Sequence, residues 1–394
     1  VSDHPRLPLI VLVDLPLAPH EVQQHGLARL GEQFEVHLLI VGPMVLGDPP
    51  RNRDPGPGGQ DGVRVDDPAS FQALIKKLMP ARPVVLDAAG ESLAMLRCRR
   101  WLAQHDVPRI VLRGSPLPSP AREGGMARRL ATLWRMGEVH YAIRHRFARW
   151  FTPPPRTVVI AGSDAEQAGS EEVVSGHTYD YDRYLEAATA TRLIDGPYVV
   201  FVDVDLATHP DIQLLGVDAA VTPGRYYAAM RRFFGLIEEV AGMPVVIAAH
   251  PRSRFTSTDH PFGARAFLVG STAVLVRDSS FVLDQTSTAL SLAVLWRRPV
   301  ILVTTEEMSE SEALPHLVAR RELLGVPLLD ADTADRDQVA AGLAATVQEE
   351  RYAEYVRRFV KAGGEDRPTA EIVAEVVTRL GGNDRAPRGN HPGR

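Results

Sequence analysis

Residues 244–253 read Pro-Val-Val-Ile-Ala-Ala-His-Pro-Arg-Ser. The apolar run from Val245 to Ala249 is too short for a helix of its own and suits a strand covered on both faces. His250 closes the run. Pro251 biases the residue before it away from helical geometry, so the chain turns there. A buried strand that delivers an imidazole at its carboxyl end belongs to a parallel α/β sheet, whose ligands gather beyond the strand ends.

The same alternation extends outward in both directions. Residues 198–204 form an apolar run of strand type and residues 225–240 a helical pattern between the two strands. Beyond His250, residues 273–276 and 281–283 read as strands, 287–296 as a helix, 299–303 as a strand, 314–324 as a helix and 327–329 as a strand. Residues 339–347, 349–360 and 370–380 read as closing helices, and the Pro/Gly-rich polar tail 383–394 as disordered. The first half repeats the scheme, with strands at 9–13, 35–41, 83–87, 109–113 and 157–161 and helical patterns at 21–30, 71–79 and 92–105. Residues 47–62, rich in Pro, Gly, Asp and Arg, read as an exposed loop.

Two consecutive series of this kind predict an α/β chain of two Rossmann-like domains facing a cleft, with C-terminal helices. The expected division is 1–194, 195–348, closing helices 349–382 and tail 383–394. At 394 residues the length suits two domains, and 45% hydrophobic with 24% charged residues is enough for ordinary cores. A formal net charge of -5 argues against a dedicated nucleic-acid binder. One cysteine, Cys98, excludes a disulfide framework and a cysteine-rich zinc site, which fits a reducing cytoplasm. The N-terminal apolar run 7–13 lacks the flanks of a signal peptide and is too short to span a membrane.

Chemistry is expected just past the strand ends. His250 could hydrogen-bond a phosphate or a sugar hydroxyl, and Arg252 could add a bidentate phosphate contact; a solvated turn is the plain alternative. Thr286, Ser287 and Thr288 stand between a strand and a helix, where hydroxyl caps and backbone amides favour an anion, although an ordinary cap has the same composition. Asp203 and Asp205 form a D-x-D on one side of a strand end. They fit either a metal-held diphosphate or, more simply, a loop carrying Asp205, Thr208 and His209 toward the cleft. His177 and Asp180 lie in a polar and aromatic cluster at the domain junction, suited to acceptor contact or to a hinge. No metal site and no resident cofactor is expected. The marks of α/β-hydrolases, P-loop NTPases and Rossmann dehydrogenases are missing.

Residues 115–150 break the α/β pattern. Seven arginines stand against two acids, a local net charge of +5, with Trp134, Tyr141, Phe147 and Trp150 interleaved. The segment is a candidate for peripheral contact with an acidic inner leaflet, against the plainer reading of solvated helices.

The region from Tyr198 to about Met308 resembles the surface-carbohydrate biosynthesis family of GT-B glycosyltransferases. The resembling pieces are Tyr198-Val199-Val200-Phe201-Val202-Asp203, His209-Pro210-Asp211, Tyr226-Tyr227, Val246 to Ser253 with its His250-Pro251, Ser287-Thr288-Ala289 and Arg298-Pro299-Val300-Ile301. The His-Pro element followed by a Ser/Thr-led helix is also similar to that of capsule enzymes using CMP-activated acidic sugars. The resemblance implies a nucleotide-sugar donor, held through its phosphate by His250, Ser287 and Thr288, and a glycan or glycolipid acceptor. Asp284-Gln285-Thr286 departs from the pattern, in which a His or similar group precedes the Ser-Thr pair. For an inverting transferase the general base is sought in the first half, at Asp87 and then Asp14, each of which also suits a strand-end cap. A non-catalytic nucleotide-binding or scaffolding relative, a sugar-nucleotide epimerase and a polyol-phosphate transferase remain open alternatives.

Overall fold

The computed structural model describes residues 6–46, 55, 58–114, 118, 147–148, 150–160, 162, 172–208, 221–311 and 313–382. His209, nearly all of the basic stretch before Phe147 and the tail 383–394 lie outside them.

The first sheet has seven strands: β1 (Pro8–Val13), β2 (Glu35–Ile40), β3 (Val63–Arg64), β4 (Val84–Asp87), β5 (Arg109–Arg113), β6 (Thr157–Ile160) and β7 (Glu172–Ser175). Their spatial order is β3-β2-β1-β4-β5-β6-β7, and all neighbours are parallel. Every residue of β1 is buried because both faces of the sheet are covered. Leu9, Val11 and Val13 face one helical layer, and Ile10 and Leu12 the other, as the two-residue period of a strand requires.

The second sheet has six: β8 (Val199–Val202), β9 (Val245–Ala249), β10 (Phe267–Val269), β11 (Phe281–Asp284), β12 (Val300–Thr304) and β13 (Leu328–Asp330). Their order is β10-β9-β8-β11-β12-β13, again all parallel. Both units thus share the doubly wound plan in which strand order reverses beside the first strand, between β1 and β4 and between β8 and β11. The expectation of two Rossmann-like α/β units with C-terminal helices is met.

Three local readings change. Residues 273–276 lie within a helix, Thr272–Asp278, and the strand beside β9 is Phe267–Val269. A four-residue apolar run carries no period that separates the two states. The stretch read as one helix over 21–30 is two, Pro19–Gln24 and Leu27–Gln33. They break at Gly26, whose φ of 62° and close approach to Ala370 leave no room for a Cβ. The short helix after the Ser-Thr pair starts at Leu290, not at Ser287.

Packing also redistributes the chain between the units. The helix Tyr179–Ala187, assigned from sequence to the first domain, buries Tyr181 and Ala187 in the core of the second sheet. Tyr352, Tyr355, Phe359 and Val360 join that same core. The last helix, Thr369–Gly381, returns to the first unit, where Ile372, Val373, Val376 and Val377 pack on Leu9, Val11, Leu27 and Leu30. The closing helices therefore serve two cores rather than one.

Candidate functional site

The strand register of the second sheet builds one edge. Val202 stands opposite Ala248, and Phe201 opposite both Ile247 and Leu283. Two residues further along, His250 and Thr286 flank the exit of β8, where Asp203 and Asp205 lie. Neighbouring strands are about 5 Å apart, so the β9 and β11 exits are separated by about 10 Å. The sequence candidates His250, Arg252, Asp203, Asp205, Thr286, Ser287 and Thr288 are gathered at this one edge, at the switch point.

His250 is half-buried, and its Nδ1 accepts the amide N–H of Arg252 at 3.2 Å. That bond leaves Nε2 as the protonated nitrogen of the neutral ring, so the imidazole presents a donor. Thr286 is half-buried, Ser287 buried and Thr288 exposed. Ser287 Oγ accepts the amide of Ala289 at 3.0 Å, a local cap on the turn.

Asp203 and Asp205 brace the turn after β8. Asp203 Oδ1 accepts the Asp205 amide at 2.9 Å, and Asp205 Oδ1 accepts the Thr208 hydroxyl. Asp205 has a φ of 52°, the left-handed geometry that Asp tolerates better than most residues. Burial pushes the Asp203 carboxyl up to about 7, against the bond from the Asp205 amide. Both side chains are engaged in shaping the turn after β8. Among the described residues no three His, Cys, Asp or Glu side chains come together in a way that could hold a metal ion.

Behind the 284–288 loop lies a group that sequence reading missed. Arg320, on the helix Ala313–Leu324, is buried. Its guanidinium donates to Asp284 Oδ2 at 3.1 Å and to the carbonyls of Gln285 at 3.3 Å, Thr286 at 3.1 Å and Ser287 at 3.0 Å. Burial raises the Asp284 carboxyl to about 6, with Arg320 opposing the shift. Gln285 is buried too, its Oε1 accepting from Tyr226 Oη at 2.7 Å. The departure Asp284-Gln285-Thr286 is thus a packed support for the loop. Arg320 follows no strand and belongs to no motif, so nothing in the sequence marked it.

On the first sheet the two candidate bases part company. Asp87 is buried with both carboxylate oxygens occupied: Arg99 Nε donates to Oδ2 at 2.8 Å and a terminal nitrogen to Oδ1 at 3.1 Å, while Arg109 donates to Oδ2 at 2.9 Å. Burial opposes its ionisation, but the Arg99 and Arg109 charges prevail and hold the carboxyl below the usual range. A carboxylate so paired is a structural anchor and a poor proton acceptor, which corrects its reading as the first-choice base. Asp14 is half-buried at the β1 exit, beside the switch point, and accepts the Gly90 amide at 3.0 Å.

His177 and Asp180 lie at the crossing between the units, just before and within the helix Tyr179–Ala187. His177 Nε2 donates to the Arg367 carbonyl at 2.7 Å, and Thr369 Oγ1 is 3.3 Å from its Nδ1. Asp182 accepts the Thr369 amide at 2.8 Å, Tyr181 donates to Asp366 at 2.7 Å, and the Thr178 amide donates to Val360 O at 3.0 Å. These bonds join the outgoing and returning crossings of the chain, which favours hinge over acceptor contact for His177. Asp180 is hydrogen-bonded to Ser291, at the start of the helix Leu290–Leu295, and burial raises its carboxyl to about 7.

No family model matches the chain, and no curated protein matches it. Among solved structures, the wall teichoic acid polymerase TagF aligns with a TM-score of 0.53 at 10% identity, over 95% of this chain and 89% of that one. The UDP-GlcNAc 2-epimerase from Methanocaldococcus jannaschii aligns with a TM-score of 0.50 at 11% identity, over 94% and 99%. At these identities the likeness shows the fold, a GT-B-like pair of Rossmann units. One architecture shared by a polymerase and an epimerase does not by itself choose a reaction.

Proposed function

We propose that this chain is a GT-B-type glycosyltransferase that moves a sugar from a nucleotide-sugar donor to a surface polysaccharide or glycolipid acceptor. The observation that carries the reading is the row at the switch point of the second sheet, where His250 and the Thr286–Thr288 loop flank the β8 exit. Such an edge offers an imidazole N–H, the Arg252 side chain and loop amides to a donor phosphate. These groups can balance the charge of a leaving nucleotide without a divalent ion, so activity is expected to survive EDTA. Asp14 replaces Asp87 as the candidate base, since it lies at the first sheet's own switch point, whereas Asp87 is gripped by Arg99 and Arg109.

Calorimetry with CMP, CDP, UDP and GDP tests the site. His250→Ala is expected to weaken the nucleotide that binds by about 1–3 kcal/mol, the range for a charge-assisted hydrogen bond. Unchanged affinity in both His250→Ala and Ser287→Ala removes the site assignment.

The epimerase reading stands second, favoured by the near full-length alignment with the archaeal enzyme. Product analysis separates the two. Transfer requires an acceptor and releases a nucleotide, whereas epimerisation leaves the nucleotide sugar intact with one inverted carbon. CMP-activated acidic sugars belong in the donor panel beside UDP sugars.

A further inference from the structure

Arg320 binds the backs of three successive peptide units. Its guanidinium meets the carbonyls of Gln285, Thr286 and Ser287 together with the carboxylate of Asp284, all within 3.3 Å. A trans peptide unit points its C=O and N–H in opposite directions. With the carbonyls of Gln285 and Ser287 turned toward the guanidinium, the N–H groups of Thr286 and Thr288 are turned away from it, while the Ser287 amide hydrogen-bonds the Asp284 carboxylate. Among the described residues the amides of Thr286 and Thr288 reach no backbone or side-chain acceptor. Arg320 is permanently cationic and buried, and its charge sits directly behind these outward amides.

We infer that Arg320 is the positioning residue of the donor site: it fixes the 284–288 loop so that the Thr286 and Thr288 amides face a phosphate on the opposite side. This rests on the proposed reading of that loop as the donor-phosphate site. The arrangement is specific to arginine. A planar fork with five donors can serve four acceptors on fixed directions, whereas an ammonium concentrates its charge at one point and cannot span them. The helix that carries Arg320 has its own hydrophobic anchors, Leu317 and Leu324, so its place in the fold does not depend on the guanidinium.

The test compares wild type, Arg320→Lys and Arg320→Met by calorimetry. The probes are CMP, CDP, UDP and GDP, each beside its parent nucleoside. Arg320→Lys is expected to unfold cooperatively like wild type, to bind the nucleotide at least tenfold more weakly and to bind the nucleoside as before. In the wild type, hydrogen exchange at the Thr286 and Thr288 amides is expected to slow with the nucleotide and not with the nucleoside. That second measurement decides the matter if the variants fold poorly. Nucleotide binding by wild type that Arg320→Lys leaves unchanged, or binding without protection of these amides, overturns the inference while the donor site stands. A wild type that binds no nucleotide overturns the donor-site reading itself.

Discussion

Arg99 grips Asp87 on both carboxylate oxygens, Nε at 2.8 Å from Oδ2 and a terminal nitrogen at 3.1 Å from Oδ1. All of this lies inside the first unit, with Arg109 on the same Oδ2 at 2.9 Å. The relationship turns a carboxylate that looks catalytic in sequence into part of the scaffold. Removing the charge leaves two buried guanidiniums with neutral partners and the acidic neighbours Glu91 and Asp14. Asp87→Asn is therefore expected to cost about 3–5 kcal/mol in urea denaturation, the range for breaking a buried pair from one side. A variant of wild-type stability with selectively abolished turnover would restore Asp87 as the base.

The last helix belongs to the first core. Val377 is fully buried there, among side chains that include those of β1. Val377→Asp places an unpaired carboxyl in that core. Amide exchange is expected to accelerate in β1, β2 and β4 and to stay near wild type in β8, β9 and β11. Equal acceleration in both sheets would show that the helix does not serve the first unit alone.

Asp203 makes stability depend on pH in a direction that follows from its environment. Its ordinary value of 3.8 rises to about 7 on burial, so the folded state holds a proton that the unfolded state has lost. Between about pH 4 and pH 7 the native protein binds more protons, and stability falls as pH rises. One fully coupled group contributes a slope of up to about 1.4 kcal/mol per pH unit. Asp180 and Asp284, also raised, act in the same sense. Asp203→Asn keeps an oxygen to accept the Asp205 amide and should flatten this part of the profile. Parallel wild-type and variant profiles across urea titrations at pH 4, 5, 6 and 7 would rule out the coupling.

A fourth prediction concerns lipid. Phe147, Trp150 and Phe151 are 52%, 84% and 46% exposed, and the rings of Phe147 and Phe151 meet at 4.5 Å. In sequence they close a stretch with a net charge of +5. Among the described residues no helix is long and apolar enough to cross a membrane. Aromatic rings beside arginines suit the interface of an acidic bilayer, each arginine adding about 1 kcal/mol near the surface. The protein is expected to co-sediment with anionic vesicles at low salt and to be released by Trp150→Ala combined with Arg128, Arg129 and Arg135 to Glu. Retention in the supernatant with anionic vesicles at low salt rejects the contact.

Hydrophobic runs and their spacing already revealed most strands and the doubled α/β plan. A strand covered on both faces must be apolar throughout, and Leu9–Val13 and Val245–Ala249 are. The positions of His250, Asp203 and Ser287 past the strand ends were legible for the same reason, since a parallel sheet brings its carboxyl ends to one edge. Other features depend on contacts between residues far apart in the chain. Asp87 looks identical in sequence whether it faces solvent or two arginines, 12 and 22 residues away. Arg320 meets its four acceptors across 33 to 36 residues. Residues 370–380 read as a helix in either unit, and only packing assigns them to the first. Local sequence sets which segments can be strands or helices, because propensity and period act over a few residues. What a polar or charged group does is set by whichever partners the tertiary fold brings within 3 Å, because burial of an ion is tolerated only when those partners are in place.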